Sequence, residues 1–275
     1  MAEPSPPSFA RVAAAFLRRD FRVARSYRLG FFVRVGSVLV AIASFGALAH
    51  FLGAGGQGAA PVPGGLLGFW VVGLGLAELF HITISAWSAR VRQAQLEGTL
   101  EAILSTAAPA SHVVLAAGLY DLLAGIGRLV IYLGAGALIF HVDFGRANAL
   151  ATLCAFALAL VAFIGLGVLG GALTMVLRRT DPISALAWMG AATLGGVFYP
   201  LDALPAWART LSLALPIAPA LEALRATLFE GASIAAIGRP LATLGVFAAL
   251  CWPLAAWAFA QALRRAREDG SLAQY

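Results

Sequence analysis

Long uncharged apolar runs, broken by short arginine-bearing segments, constrain this chain more than any other feature. Several runs exceed the ~20 residues that a helix needs to cross ~30 Å of hydrocarbon. Hydrophobic residues make up 61% of the 275-residue chain and charged residues 12%, against roughly 25% charged in soluble proteins. Two small soluble domains of this length are therefore excluded. The expected class is an all-α integral membrane protein with several helical crossings.

The spacing predicts six spans, at about 31–52, 66–88, 112–140, 149–177, 183–198 and 241–263. The third is long enough to tilt or to contain a break. Residues 1–8 are Pro/Ser-rich and are expected to be disordered. In 9–28, Phe9, Val12, Phe16, Val23 and Tyr27 recur at helical spacing, while Arg11, Arg18, Arg22 and Arg25 fall largely on another face. That pattern predicts a basic amphipathic helix lying in the membrane interface. The first apolar run begins only after about 28 residues, behind this arginine-rich stretch, so the first span is expected to be retained as an anchor. Residues 29–263 then form a six-span domain, and 264–275 a cytoplasmic tail.

The net charge of +6 comes from arginine alone, because the chain has no lysine. The arginines sit in patches beside apolar spans, which suits topology signals and anionic lipid contacts better than nucleic acid. With the N-terminus in the cytoplasm, thirteen arginines fall inside. Only Arg146, Arg209, Arg225 and Arg239 fall outside, and Arg34 and Arg128 lie within spans. Both termini are expected to be cytoplasmic.

That orientation makes the stretch before the last span extracytoplasmic. Between Gly195 and Gly231, Pro200, Pro205, Pro216 and Pro219 cut an apolar segment into pieces too short to cross. An odd number of crossings would carry the C-terminal arginines outside. The segment 198–231 is thus predicted to enter and leave on one side, as a broken helical hairpin packed on the bundle. Trp207 is expected to be an interfacial anchor and Arg225 a structural or headgroup contact.

Away from the span ends, Glu78 and His81 lie in the second span and Asp121 and Arg128 in the third. A charge at the centre of a membrane helix costs roughly 2.5–3.5 kcal/mol on insertion scales, so such groups face the interior and have partners. They either line a polar route or proton relay, or form an interior ion-pair network, Glu78 with Arg128 for example, that fixes how the two spans pack. Gly167-x-x-x-Gly171 marks a place where helices can approach closely. Cys154 and Cys251 fall within spans and read as packing residues. The four histidines lie on separate elements without metal-ligand spacing, so no metal is expected. Without lysine no Walker A loop is possible, so any ATP must be bound by another chain.

Two stretches carry a family likeness. Arg92 to Ser111, "RQAQLEGTLEAILSTAAPAS", resembles the segment after the second span of ABC-2 type exporter permeases, where a Glu-Gly-Thr-Leu-Glu core precedes an amphipathic helix and a Pro-containing turn. Phe198-Tyr199-Pro200, Leu204-Pro205-Ala206-Trp207, and Pro216 with Arg225 are similar in order to that family's outer re-entrant region. The resemblance extends over nearly the whole chain.

The resemblance implies a permease subunit of an ATP-driven exporter in the bacterial inner membrane, with no catalytic residue of its own. Two copies would form the pathway as a homodimer. Each would dock on a cytoplasmic ABC ATPase that holds the ATP and Mg. The segment 90–108 would couple the two, with Leu96, Leu100, Ile103 and Leu104 offering an apolar face, Glu97 and Glu101 charges, and Gly98 and Thr99 part of the same coupling core. Spans 1, 2 and 5 would line the pathway. The cargo suggested is amphipathic or lipid-linked, with polysaccharide or glycolipid favoured and multidrug or antibiotic export as the alternative. An integral membrane transferase using Glu78, His81 or Asp121, or a secondary transporter, are the remaining rivals. The first lacks a polar loop over its candidate groups, and the second lacks a visible inverted repeat.

Overall fold

The computed structural model describes residues 7–26, 28–54, 62–99, 108–177 and 182–268. Among these residues the chain is helical, with no strand. Ten α-helices follow in order: α1 Phe9–Ser26, α2 Arg28–Ala54, α3 Gly65–Leu96, α4 Ala110–Ala117, α5 Leu119–Leu138, α6 Ala149–Leu177, α7 Pro182–Leu194, α8 Ala206–Ser212, α9 Ile217–Phe229 and α10 Gly238–Glu268. A single 3-10 turn, Leu201–Ala203, precedes α8. Five stretches are long and apolar enough to cross a membrane: α2, α3, the α4–α5 pair, α6 and α10. The chain is a multi-pass membrane protein.

Helix α3 is the axis of the bundle. In its most apolar window 72% of residues are buried, against 11% in the corresponding windows of α2 and α10. Val71, Val72, Leu76, Leu79, Phe80 and Ile84 project from it into the main core. Facing them, α6 presents Ala151, Ala155, Ala159 and Ala162, all fully buried at near-helical spacing. Short side chains let helix backbones approach where the membrane offers no hydrophobic drive for association. Phe163 then fills the remaining gap, its ring edge-on to Phe80 at 4.7 Å.

Trp87 locks the other half of this contact. It is 2% exposed, its indole N–H donates to the Val114 carbonyl at 3.0 Å, and its ring lies in a slot formed by Gly118, Gly167 and Gly171. A Cβ at Gly167 would stand 2.5 Å from the Thr83 carbonyl oxygen and 2.9 Å from the indole. The Gly167/Gly171 spacing is thus a true helix crossing.

Two boundaries differ from the sequence expectation, and the break allowed for in the third span is present. The second span does not give way to a separate polar segment at Ser88; α3 continues unbroken to Leu96, because Ala94, Gln95 and Leu96 remain good helix formers. The third span is divided at Gly118 into α4 and α5. The fifth stops at Leu194 rather than Phe198. Gly196 takes a left-handed conformation, φ 73°, which ends the helix and turns its last carbonyls inward. At 13 residues, α7 has the length of about 20 Å at 1.5 Å per residue, short of a full crossing.

Helices α8 and α9 meet at 89°, a bent helical hairpin that fits either one broken span or a re-entrant segment. Its prolines sit where no helical N–H is needed. Pro205 and Pro216 are the N-cap residues of α8 and α9, and Pro219 lies in the first turn of α9, whose amides have no intrahelical acceptor. Arg209 ties α8 to the preceding 3-10 turn, donating to the Asp202 carbonyl at 2.9 Å. Asn148 caps α6 through its side chain and donates its amide to the Thr227 carbonyl at 2.9 Å, so the hairpin is also fastened to the start of α6.

Candidate functional site

The singled-out polar residues are distributed along α3, in three layers. At the capped end, beside the hairpin, Arg225 is buried. Its Nη1 donates to the Gly196 carbonyl at 2.7 Å, and its Nη2 to the carbonyls of Phe69 at 2.9 Å and Val197 at 3.2 Å. Its guanidinium also lies over the Phe69 ring, 3.3 Å from the centroid. One side chain on α9 thereby joins α3 to the turn that follows α7. Gly73 leaves the room: a Cβ there would stand 2.6 Å from the Val197 oxygen and 2.7 Å from Nη2. Trp70 reinforces the junction, donating to the Phe198 carbonyl at 2.8 Å. Arg225 is therefore a structural contact. Trp207 is 67% exposed on the outer face of α8. The Tyr199 hydroxyl donates to the Thr193 carbonyl, and Pro200 starts the 3-10 turn.

The middle layer holds an ion pair between Glu78 of α3 and Arg128 of α5. Both are partly buried, and each offsets the cost of the other in the membrane interior. The geometry is that of an interhelical clamp between the second and third spans. His81, one turn on, stacks obliquely on Trp188 of α7 at 4.7 Å, and its Nδ1 has no partner. It does not join the Glu78–Arg128 pair.

At the opposite, basic end, Asp121 pairs with Arg90 rather than with Arg128. The Arg90 Nε donates to Asp121 at 2.8 Å, and Nη2 approaches Asp20 at 3.4 Å. Asp20 is only 5% exposed and also accepts from the Arg19 Nε at 2.8 Å. Three helices, α1, α3 and α5, meet at this node. The inner face of α1 is the stripe that its apolar spacing marks: Val12 is buried, Phe16 packs beside it, and Asp20 continues the same line toward Arg90. Further along, Val23 is 55% exposed, and Tyr27 lies outside the described residues. Arg18, Arg22 and Arg25 are exposed on the other side.

Neither Asp20 nor Arg90 stood out by spacing. One signal was available: Asp20 is the only acidic residue in α1, and a lone carboxylate in a basic helix asks for a buried partner. Gln95, buried near the end of α3, donates to the Met175 carbonyl at 3.4 Å and so ties α3 to the end of α6.

Helix α3 closes just beyond this node. The Glu97 amide donates to the Gln93 carbonyl and the Thr99 amide to Ala94, with Gly98 turning the chain at φ 65°. Leu96 is 65% exposed, and the Glu97 carboxylate accepts from Gln93. Leu100, Glu101, Ile103 and Leu104 lie outside the described residues.

Between α1 and the basic ends of α2, α3, α5 and α6 lies a cavity of about 980 Å³. Asp20, Arg90, Asp121 and Arg128 all line it. The two polar layers on this side of the molecule therefore share one space, and the Arg225 junction is separate from it.

The sequence matches the family model described as ABC-2 type transporter over residues 11–229. No curated protein matches the chain. The matched region takes in the basic-end node, the Glu78–Arg128 pair, the end of α3 and the whole α8–α9 hairpin, so that the chain, by a match over most of its length, belongs to the ABC-2 type transporter family of membrane permeases.

Proposed function

We propose that the chain is the permease half of an exporter driven by a separate cytoplasmic ABC ATPase. It would carry an amphipathic or lipid-linked molecule, a polysaccharide or glycolipid in preference to a drug, out of the cytoplasm or inner leaflet. The observation that carries this reading is the continuity of α3. Its 32 residues, about 48 Å at 1.5 Å per residue, run from the Arg225 junction through the Glu78–Arg128 pair to Leu96. A push on the Leu96–Thr99 end displaces the hairpin end as well, because buried contacts along the helix leave no slack between them.

In this mechanism the ATPase subunit, with its ATP and Mg, engages the segment from Leu96 through Leu104. Leu96 supplies exposed apolar surface, and Glu97 and Glu101 supply charge. Closure of two ATPase subunits moves α3 as a rigid rod, and the hairpin at its far end opens or seals the outer side. The weakly buried α2 and the exposed Leu186 and Met189 of α7 suit a second copy of the chain across the pathway. The chain contributes no covalent chemistry. Both termini are assigned to the cytoplasmic side of a bacterial inner membrane, following the arginine distribution.

The test is co-purification of the full chain with a Walker-motif ATPase, followed by measurement of ATPase stimulation. Stimulation that survives replacement of Glu97 and Glu101 by alanine, in an intact complex, sinks the coupling assignment. Transport of a radiolabelled lipid-linked oligosaccharide into inverted vesicles tests the cargo class, with an amphipathic drug as the competing substrate.

A further inference from the structure

The cavity at the basic end has a composition that its role in helix packing does not require. Its walls are apolar: Phe16, Phe21 and Val23 from α1, Phe32 and Val35 from α2, and Phe259 from α10. Five arginines line it, Arg19, Arg25, Arg34, Arg90 and Arg128, against three carboxylates, Asp20, Glu97 and Asp121. Three of the arginines are already satisfied. Arg19 and Arg90 hold Asp20 and Asp121, and Arg128 holds Glu78. Arg25 and Arg34 form no ion pair among the described residues, and both are exposed at the mouth.

We infer that this cavity binds one anionic phospholipid, its headgroup held between Arg25 of α1 and Arg34 of α2 and its chains lying on the phenylalanines. An apolar space of this size, lined by two guanidinium groups that form no ion pair among the described residues, is complementary to an anionic amphiphile. A neutral lipid leaves the two charges uncompensated. A soluble anion leaves the apolar walls unfilled. Basic pockets between membrane helices recognise anionic headgroups by this combination, and guanidinium meets phosphate with paired N–H donors. About 980 Å³ also lies within the range of small-molecule pockets, roughly 300–1,000 Å³. The lipid would wedge α1 from α2, the two helices that the Asp20–Arg90 node does not join directly.

The full chain, reconstituted in phosphatidylcholine vesicles, is probed with spin-labelled phosphatidylglycerol or spin-labelled phosphatidylcholine. The motionally restricted fraction of each is read by electron paramagnetic resonance. The expected result is a preference of roughly thirty-fold for phosphatidylglycerol, the scale that two arginine contacts supply near a membrane surface. Arg25→Gln with Arg34→Gln abolishes the preference and leaves the phosphatidylcholine signal unchanged. Gly127→Phe provides the second arm. Gly127 lines the cavity, and a Cβ there meets nothing within 4 Å, so the new ring fills the space without touching a charge. It too abolishes the preference. Retention of the preference in Gly127→Phe would place the lipid on the outer surface of α1 and overturn the inference. Displacement of the label by 10 mM inorganic phosphate, roughly the level at which a soluble anion competes for two cations, would overturn it in favour of a free-anion site. Neither arm involves ATPase activity or transport, so a negative outcome here leaves the exporter reading untouched.

Discussion

Arg225 and Arg90 fasten opposite ends of α3, and they are satisfied in opposite ways. Arg225 is buried against backbone carbonyls, three of them from two segments, with no carboxylate in contact. Arg90 is more exposed and is held by two carboxylates, on α1 and α5. Carbonyls belong to the backbone and cannot turn away. A guanidinium fork that fits three of them fixes one geometry. Carboxylates sit on side chains with rotamers of their own, so the Arg90 node can lose one partner and keep the other. The capped end is built as a fixed joint. The basic end, where a driving subunit would act, is built as a joint that can shift.

The strongest way to break this contrast is Arg225→Met. It takes the Arg225 donor from the Gly196 and Val197 carbonyls and the second donor from the helical Phe69 carbonyl, and is expected to cost about 3–5 kcal/mol, read as loss of folded protein on thermal unfolding in detergent. Arg225→Lys should recover little, because one ammonium cannot span the three acceptors. Gly73→Ala attacks the same joint by volume. With 2.6 Å to the Val197 oxygen, it should destabilise by about 1–3 kcal/mol, and the Arg225→Met, Gly73→Ala pair should be strongly non-additive.

Arg90→Gln probes the other joint and is expected to cost less, about 1–2 kcal/mol, because Arg19 still holds Asp20. Adding Asp121→Asn should restore part of that loss in a double-mutant cycle, because Asp121 is the carboxylate that Arg90→Gln leaves unpaired, whereas additivity would show that the two are not coupled. Glu78→Gln sharpens the comparison at the midpoint. If the pair with Arg128 is a clamp, dimer and fold weaken together with transport; if it lines the route, transport falls while the complex stays intact. The smallest effect on stability is expected for Glu97→Ala, under about 0.5 kcal/mol at an exposed helix end. It should nevertheless lower ATPase stimulation, which unfolding measurements would not register.

The spans and the hairpin were legible because the membrane permits few solutions. Apolar length, proline position and arginine placement each report on backbone hydrogen bonding or on charge burial, and both are penalised heavily in hydrocarbon. The pairings were less legible. Glu78 and Arg128 stood out as isolated charges in apolar runs, and the structure brings them together. Asp121, a third isolated charge, is claimed by Arg90, a residue that the sequence marks only as a topology signal. Asp20 sits on the same stripe of α1 as Val12 and Phe16 and also meets Arg90, and such a partner on another helix is invisible to the periodicity of one element.

Composition, arginine asymmetry and proline spacing determined by themselves that this chain is a helical membrane protein whose helices break before its last span. Tertiary structure alone decided what Arg225, Asp20 and Trp87 do, because each acts on a residue far away in sequence. It also decided that α3, no more apolar than its neighbours, is the buried axis. That rank depends on how many other helices lean against it, and no stretch of α3 records it.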